Sequence, residues 1–412
     1  MENHGGASAK NRWLFWLGLA IFIAYLVSVG LIHLDGHKAA RQGDTPLLTD
    51  FTSFYAASIL VQRQPAVDLY RPREMYRASL DAAQAAYAGN LSEKQARTVG
   101  FHPWMYPPPY IFVALPFAYL PYLAAWLAWL AATALPYLLA MRTILRDRGF
   151  WLIAFGMPPV FYNIMYGQSG FLVAGLIGLG LAWLGPRPVL AGICLGLASV
   201  KPHFGLLIPL ALICGAHWRT FWSAVATVGV IGLGAALAFG SDIWYAFLGT
   251  LMANLRGFDQ GVYKWSVMPS VFGALHQAGL DLAWAWRGQM AAALLAAGVV
   301  VWAWWQRADR ARQPGLEAAI LCLATLLAAP MVYLYDLMLL VPAVGWLWAD
   351  MRDRPTRRWE VPLLATCSVA MIGLWEMDRL GPVIGCLAVC GLLGLALQRL
   401  IEARQSGHHC AA

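Results

Sequence analysis

Six groups of polar residues interrupt the apolar character of this chain at places where they could do chemistry. Each group stands at the edge of an apolar run, where a half-buried charge costs several kcal/mol and therefore needs a reason. The groups are Asp50; Tyr106 with Pro107 and Pro108; Asn163 with Gln168; Lys201 with His203; Ser266, which follows Lys264 and Trp265; and Tyr335 with Asp336. We expect these groups to meet in one cavity.

The residue types in these groups suit the transfer of a sugar from a lipid phosphate. An aspartate such as Asp50 can take the proton of an acceptor hydroxyl. A lysine such as Lys201 offsets phosphate charge, while amides and tyrosines hold hydroxyl groups. His203 is interpreted equally well as a contact to the donor phosphate or as a packed side chain. Each residue, taken singly, can also be an interfacial side chain that snorkels to water.

The composition indicates that membrane helices position these residues. Hydrophobic residues make up 60% of the chain and charged residues 12%, and the mean hydropathy is +0.58. A helix crosses the hydrocarbon core with about 20 residues, and the apolar runs reach that length or fall somewhat short of it. The formal charge of +8 comes from basic residues in short links, where they set orientation. It therefore does not indicate nucleic-acid binding.

Redox, metal and nucleotide chemistry are not predicted. Of the seven cysteines, all but Cys410 lie in apolar runs, where a free cysteine behaves as a small hydrophobe. No Cys/His cluster has metal-ligand spacing, and no glycine-rich loop ending in Lys-Ser or Lys-Thr follows a predicted strand. We therefore predict no metal and no cofactor, with a lipid-linked sugar donor as a substrate.

The spacing of basic links predicts an all-α polytopic bundle of about 10 to 12 membrane helices. Basic residues recur at every second link, which we place in the cytoplasm, so the six polar groups fall on the outer face. We predict one membrane domain over residues 1–412, with residues 35–109 as a periplasmic loop. Prolines predict a broken first part in residues 110–141. Residues 188–200 and 204–216 are predicted to be half-depth helices meeting at a Lys-Pro turn.

The loop at residues 35–109 carries too much apolar patterning for a solvated linker. An amphipathic segment begins at Phe51, and Tyr55, Asp68 and Tyr70 follow. We predict a folded cap on the membrane surface, with its aromatic side packed on lipid or on the cap's own core. Asp50 faces the protein in this prediction. It is either a catalytic base or the N-cap of the segment that follows.

The order of these motifs resembles that of bacterial polyprenyl-phosphate-mannose-dependent mannosyltransferases, glycosyltransferase family 87, which have the GT-C membrane fold. The shared order is Asp-Phe, Asp-Leu-Tyr, Tyr-Pro-Pro-Pro, Asn with Gly-Gln, a Gly-rich helix ending in Lys-Pro, and Ala-Pro followed by Tyr-Asp-Leu. The resemblance spans residues 13–342. The mannosyltransferase branch has a histidine after a Ser-Pro bend, whereas Tyr333, Tyr335 and Asp336 follow the bend here. The sugar therefore stays open between mannose and another hexose.

The resemblance implies a bacterial inner-membrane enzyme that moves a hexose from a polyprenyl phosphate to a lipid or glycan acceptor on the periplasmic side. Asp50 matches the first-loop aspartate that GT-C enzymes use as base. Gln168 and Lys201 match donor-side contacts, and the motif beginning at Tyr106 matches the loop that closes the cavity. The implied partners are the two substrates and membrane lipid, with no nucleic acid. A secondary transporter and a non-catalytic accessory subunit of envelope glycan assembly remain alternatives.

Overall fold

The architecture is helical throughout the part of the chain that the computed structural model describes, namely residues 12–100, 103–259, 264–305, 312–374 and 376–409. Six of its helices are long and apolar enough to cross a membrane, namely Arg12–Arg41, Tyr122–Ile144, Trp218–Phe239, Leu282–Trp304, Leu334–Asp353 and Leu380–Ser406. Six shorter apolar helices accompany them, namely Tyr110–Tyr119, Gly170–Ala182, Pro188–Val200, Pro202–Cys214, Pro314–Ala328 and Glu360–Val369. The predicted all-α polytopic membrane protein is confirmed.

We number the α-helices in chain order. The first part of the chain forms α1 (Arg12–Arg41), α2 (Phe51–Arg63), α3 (Pro72–Ala86), α4 (Glu93–Ala96), α5 (Tyr110–Ala114), α6 (Tyr122–Ile144), α7 (Gly149–Gly156), α8 (Pro158–Tyr166), α9 (Gly170–Ala182) and α10 (Pro188–Leu197). The second part forms α11 (Ile208–Cys214), α12 (Trp218–Phe239), α13 (Asp242–Asp259), α14 (Val271–Gln277), α15 (Leu282–Trp304), α16 (Pro314–Ala328), α17 (Leu340–Asp353), α18 (Glu360–Val369) and α19 (Leu380–His409). The 3-10 helices are Ala66–Tyr70, Leu115–Tyr119, Ala198–Val200, Pro202–Gly205, Trp265–Val267 and Leu334–Leu339.

Prolines break the helices where the sequence predicts. The first part of residues 110–141 forms α5 and a 3-10 turn, and the chain becomes extended at Leu120 before α6 begins. A proline lacks the backbone N–H of a helix and disfavours helical backbone in the preceding residue. Pro202 acts in the same way on Lys201, whose φ of −121° and ψ of 83° end the short helix before it. The two predicted half-length segments therefore meet at Lys201.

The cap packs on the protein rather than on lipid. Phe51 and Phe54 of α2 are fully buried, and the Phe54 ring stacks on Trp129 of α6 with 4.7 Å between centroids. Trp104 joins the same aromatic core. The sequence left open whether the aromatic side of α2 packs on lipid or on the cap's own core. In the structure it packs on the protein core. Helix α1 continues to Arg41, beyond the expected start of the loop at residue 35.

Two antiparallel helices at the centre of the bundle, α16 and α17, define its two ends. Their side chains are almost wholly buried, and the bend between them carries Asp336. We call the side of this bend the Asp50 end, because Asp50, Gln168, Lys201 and Asp336 lie there. The opposite side is the arginine end, where the helices carry Glu317 and Asp350. The described cysteines are free, and Cys410 lies outside the described residues.

Candidate active site at the Asp50 end of the bundle

Asp50 is half-buried at the residue before α2 and does not cap that helix. It occupies the N-cap position with φ −62° and ψ −22°, and its side chain makes no capping hydrogen bond. Instead, Nε2 of Gln168 donates to Asp50 Oδ2 over 3.0 Å. A carboxylate that only capped the helix would face the first backbone N–H groups of α2. The structure therefore favours the interpretation in which Asp50 serves a site.

The turn after α8 presents Gln168 to Asp50. Gly167 ends α8 in the left-handed conformation, with φ 62° and ψ 36°. A Cβ at this glycine would lie 2.7 Å from Phe51 Cβ and 2.6 Å from Trp126 Nε1, so a larger residue would clash as well as strain the backbone. The close approach of this turn to the start of α2 is what brings together residues 118 positions apart.

Tyr106 extends this group on its other side. Its hydroxyl donates to Gln168 Oε1 over 3.2 Å, and its ring stacks on Tyr110 with 4.4 Å between centroids. The Tyr70 hydroxyl donates to the Tyr106 carbonyl over 2.7 Å. Burial raises the pKa of Tyr106 well above its usual value, and neighbouring Tyr110 raises it further. Tyr106 therefore stays protonated and can act as a hydrogen-bond donor.

The prolines after Tyr106 form the turn that leads into α5. The N–H of Tyr110 bonds to the carbonyl of Pro107 over 2.9 Å, and that of Ile111 bonds to Pro108 over 3.1 Å. The ring of a proline restricts its φ to about −65°, so consecutive prolines stiffen this turn. Pro107 and Pro108 therefore fix the backbone on which Tyr106 is held.

A buried ion pair joins the Lys-Pro turn to the bend between α16 and α17. Lys201 Nζ lies 2.5 Å from Asp336 Oδ1, and the two residues are 5% and 4% exposed. The N–H of Tyr333 donates to Asp336 Oδ2 over 3.0 Å. Lys201 Nζ also lies 4.8 Å from the centroid of the Tyr335 ring. One of three ammonium protons is used by Asp336, so Lys201 retains capacity to donate to a ligand.

Two side chains near this pair have buried polar atoms with unmet hydrogen-bonding capacity. Asn163 is fully buried, and neither of its amide atoms has a partner. Gly170 makes room for it, because a Cβ there would lie 2.6 Å from Asn163 Oδ1 and 2.5 Å from the Tyr335 carbonyl oxygen. His203 Nε2 is likewise buried without a partner. Such groups are rare in protein interiors and mark places where a ligand or water is expected.

Asn163 connects both groups into one site. Its carbonyl accepts from the Gln168 N–H over 3.1 Å, and its side chain shares the space beside Gly170 with the Tyr335 carbonyl oxygen. The ring of Tyr166 meets that of Tyr335 edge to face, with 5.9 Å between centroids. The site can thus offer a carboxylate, an ammonium group, amides and phenols to a bound molecule.

Three predicted site residues lie elsewhere. The Tyr55 hydroxyl donates to the Leu120 carbonyl over 3.0 Å, within the core of the cap. Asp68 pairs with Arg71 over 2.7 Å. Ser266 packs its backbone against the start of α19. Their place in a site therefore stays a prediction.

Sequence reasoning also missed three contributors, Tyr110, Tyr166 and Ser169. Tyr110 stacks on Tyr106, Tyr166 meets Tyr335, and the Ser169 N–H donates to Gln168 Oε1 over 3.0 Å. Their signal was proximity to the motifs already selected, since each follows or precedes one of them within a few residues. Among the described residues, no three His, Cys, Asp or Glu side chains come together as a metal site requires.

A groove of about 470 Å³ is lined in part by Tyr70 and Trp104, both of which contact Tyr106. It lies between the 3-10 helix Ala66–Tyr70, Trp104 and α13, and Trp104 stands 5.2 Å from the Tyr106 ring. Helix α13 packs Phe247 against Tyr70. Its other face exposes a set of large apolar side chains, namely Tyr245, Leu248, Leu251, Met252 and Leu255. The groove thus lies between a helix with exposed apolar side chains and two aromatic residues that contact Tyr106.

The sequence model of Glycosyltransferase family 87 matches residues 104–332, which is more than half of the chain. The matched range includes Gln168 and Lys201, whereas Asp50 and Asp336 lie outside it. No curated protein and no solved structure matches the chain. The resemblance in motif order is therefore confirmed at the level of the family. With its multi-pass helices and a family match over more than half of its length, this chain belongs to glycosyltransferase family 87.

Proposed function

We propose that this glycosyltransferase moves a hexose, mannose or a close relative, from a polyprenyl phosphate to a lipid or glycan acceptor. The proposal includes a bacterial inner membrane and an Asp50 end that faces the periplasm. Its main support is that Asp50 turns away from the helix it could cap and joins Gln168, Tyr106 and their neighbours in one polar site. The family supplies the reaction class, and the side chains supply the roles.

In the proposed step, Asp50 removes the proton from the acceptor hydroxyl as that oxygen attacks the anomeric carbon of the donor. The new glycosidic bond forms while the bond from the anomeric carbon to the phosphate oxygen breaks. The leaving lipid phosphate takes the bonding electrons, and Asp50 keeps the proton. Such a single displacement inverts the anomeric configuration.

Lys201 is proposed to stabilise the departing phosphate with the donor capacity that Asp336 leaves unused. Asn163 and His203, whose buried polar atoms have no partners, are proposed to hold oxygens of the phosphate or the sugar. Because Asp336 neutralises much of the charge on Lys201, these neutral donors matter more than they would beside an unpaired lysine. Tyr335 completes the wall on this side.

The groove beside Tyr70 and Trp104 is proposed to receive the isoprenoid chain of the donor. It opens along α13, whose apolar side chains face outward, and it ends at rings that contact Tyr106. A lipid chain entering from the membrane would therefore bring its phosphate toward the polar site without crossing water.

The test uses isolated membranes that carry the protein, with endogenous acceptors and a set of radiolabelled polyprenyl-phosphate hexoses. Asp50→Asn keeps the shape of the side chain but cannot take the acceptor proton, so turnover should fall roughly 100- to 10,000-fold. Asp44→Asn, an exposed carboxylate in the same linker, is the matched control and should transfer label normally. Donor binding should survive in both variants.

Each alternative function has its own outcome in this assay. Near-normal transfer by Asp50→Asn at matched expression would contradict the assignment of the base. Absence of transfer by the unaltered protein from any of the donors would favour an accessory subunit. Movement of a free polar solute without transfer of label would favour a transporter.

A further inference from the structure

The side chain of Gln168 makes hydrogen bonds at both ends and is 4% exposed. Its Nε2 donates to Asp50 Oδ2 over 3.0 Å. Its Oε1 accepts from the Ser169 N–H over 3.0 Å and from the Tyr106 hydroxyl over 3.2 Å. This set of contacts occupies the amide within the protein, whereas the motif order implied a contact with the donor.

The donors and acceptors around the Gln168 amide determine which way it is oriented. A backbone N–H can only donate, so the atom facing Ser169 must be the amide oxygen. A flipped amide would place two donors face to face there and would turn its oxygen toward the Asp50 carboxylate. Either contact would be repulsive. The N–H group of Gln168 is therefore directed at Asp50.

The backbone at Gln168 is also held in place. The Gln168 N–H bonds to the Asn163 carbonyl over 3.1 Å, and Gly167 holds the left-handed turn that ends α8. A rigid turn and an amide with a single orientation leave the donated proton little freedom. The carboxylate that accepts it is held in turn.

We infer that Gln168 is the positioning residue of Asp50, acting on the transfer reaction through the orientation of that carboxylate and not by touching the donor. The inference rests on the proposed function of Asp50. A neutral amide orients the carboxylate while leaving its charge in place, which suits a group that must accept a proton. An arginine or lysine at the same place would bind the carboxylate as a salt bridge.

Gln168→Leu removes the donor and should lower kcat by about 100-fold, because a misplaced catalytic group loses most of its advantage. The KM for the labelled donor should stay within about twofold, since no donor contact is lost. The decisive measurement is the Asp50→Asn, Gln168→Leu double variant, assayed with long incubations. If Gln168 acts only through Asp50, its substitution should cause no further loss of activity once Asp50 has been replaced.

Gln168→Glu provides a nearly isosteric second variant. It places a carboxylate against Asp50, so the pair holds its last proton to a higher pH than Asp50 alone. The acidic limb of the pH-rate profile should therefore move to higher pH. In the part of the chain that the structure describes, the titratable groups that face Asp50 include Tyr106, Tyr166 and Tyr335, phenols whose ordinary pKa of about 10 lies above that limb, while Asp336 is held by Lys201.

Gln289 offers a matched control for the loss of a buried glutamine. Its amide donates to the Leu327 and Ala328 carbonyls, each over 3.0 Å, and accepts from the Phe272 N–H over 2.9 Å. Gln289→Leu should weaken the fold as much as Gln168→Leu does. Its turnover per folded molecule and its pH profile should remain those of the unaltered protein.

Two results would overturn the inference without touching the proposed function. One is a rise in donor KM with kcat unchanged in Gln168→Leu, which would restore the donor contact. The other is a full additional loss in the double variant, which would show that Gln168 acts independently of Asp50. An active Asp50→Asn single variant, in contrast, would remove the proposed function itself.

Discussion

The buried carboxylates at the arginine end contact arginines, whereas Asp50 at the other end accepts a hydrogen bond from a neutral amide. Glu317 lies 3.0 Å from Arg312 through one oxygen and 3.3 Å from Arg404 through the other. Arg399 bridges Asp350 and Glu360, each over 2.5 Å. Both ends bury charge, but they surround it with different partners.

The difference follows from the geometry of the partners. An arginine presents five N–H donors in a planar fork, so one Arg399 can join carboxylates from α17 and α18 to α19. Such bridges hold helices at fixed distances. At the Asp50 end, the ion pair of Lys201 and Asp336 is flanked by Asn163 and His203, whose side chains have unmet hydrogen-bonding capacity. Buried atoms without partners also occur at the arginine end, for example Glu360 Oε1, so the two ends differ in how their charges are paired. Arginines join carboxylates of different helices at one end, whereas a lysine and a neutral amide contact the two aspartates at the other.

The largest effect is expected from Arg399→Met. It leaves Glu360 buried without this cation and Asp350 paired with Arg354, which should cost about 3 to 5 kcal/mol of folding free energy. Thermal unfolding in detergent, followed by fluorescence-detected size exclusion, measures this loss. Arg358→Met, an exposed arginine at the same end, is the control and should leave unfolding unchanged. Turnover per folded Arg399→Met molecule should be normal. A catalytic defect in this variant would contradict a purely structural role of the arginine end.

Lys201→Met should lower both stability and donor use, because it leaves Asp336 buried without this cation and removes the proposed contact to phosphate. Charge-assisted contacts contribute about 1.5 to 3 kcal/mol, which is roughly a 10- to 150-fold change in donor use. The Lys201→Met, Asp336→Leu double variant removes both charges and should recover much of the stability.

The double variant separates the two roles of Lys201. Donor use should remain low in it, while Lys201→Arg should retain part of the activity. Recovery of normal donor KM together with stability would make the pair a structural bridge like those of the arginine end.

A smaller effect is expected from Gly249→Trp, which fills the groove along α13. A side chain at Gly249 meets open space, so the change should not disturb the fold. We expect donor KM to rise by about tenfold, equivalent to roughly 1.4 kcal/mol, with kcat unchanged. Gly229→Trp on α12 also projects into open space on an exposed face and serves as the control. Equal behaviour of the two variants would remove the groove from the donor path.

No effect on turnover is expected from two cysteine variants that report the orientation of the protein in the membrane. Lys94→Cys lies on the cap, and Thr356→Cys lies on the link between α17 and α18; both residues are exposed. In a background without native cysteines, an impermeant thiol reagent added to whole cells should label position 94 only. Labelling of position 356 instead would place the Asp50 end in the cytoplasm.

The sequence by itself determined the class of fold and the places where helices fail. Apolar runs of spanning length require helices, because a backbone in lipid must satisfy its own hydrogen bonds. Pro121 and Pro202 end helices through local sterics, which need no knowledge of distant residues. The same local information selected Asp50, Gln168 and Lys201 as residues in need of partners.

Only the tertiary structure decided which residues contact them. Lys201 and Asp336 are 135 positions apart, and Asp50 and Gln168 are 118 apart, so each pairing depends on how whole helices pack. Sequence spacing could not show that Asp336 would form an ion pair with Lys201, nor that the side chain of Tyr55 would lie in the core of the cap. Local pattern fixes which side chains carry charge, whereas packing fixes the distances between them. The chemistry of a site depends on both.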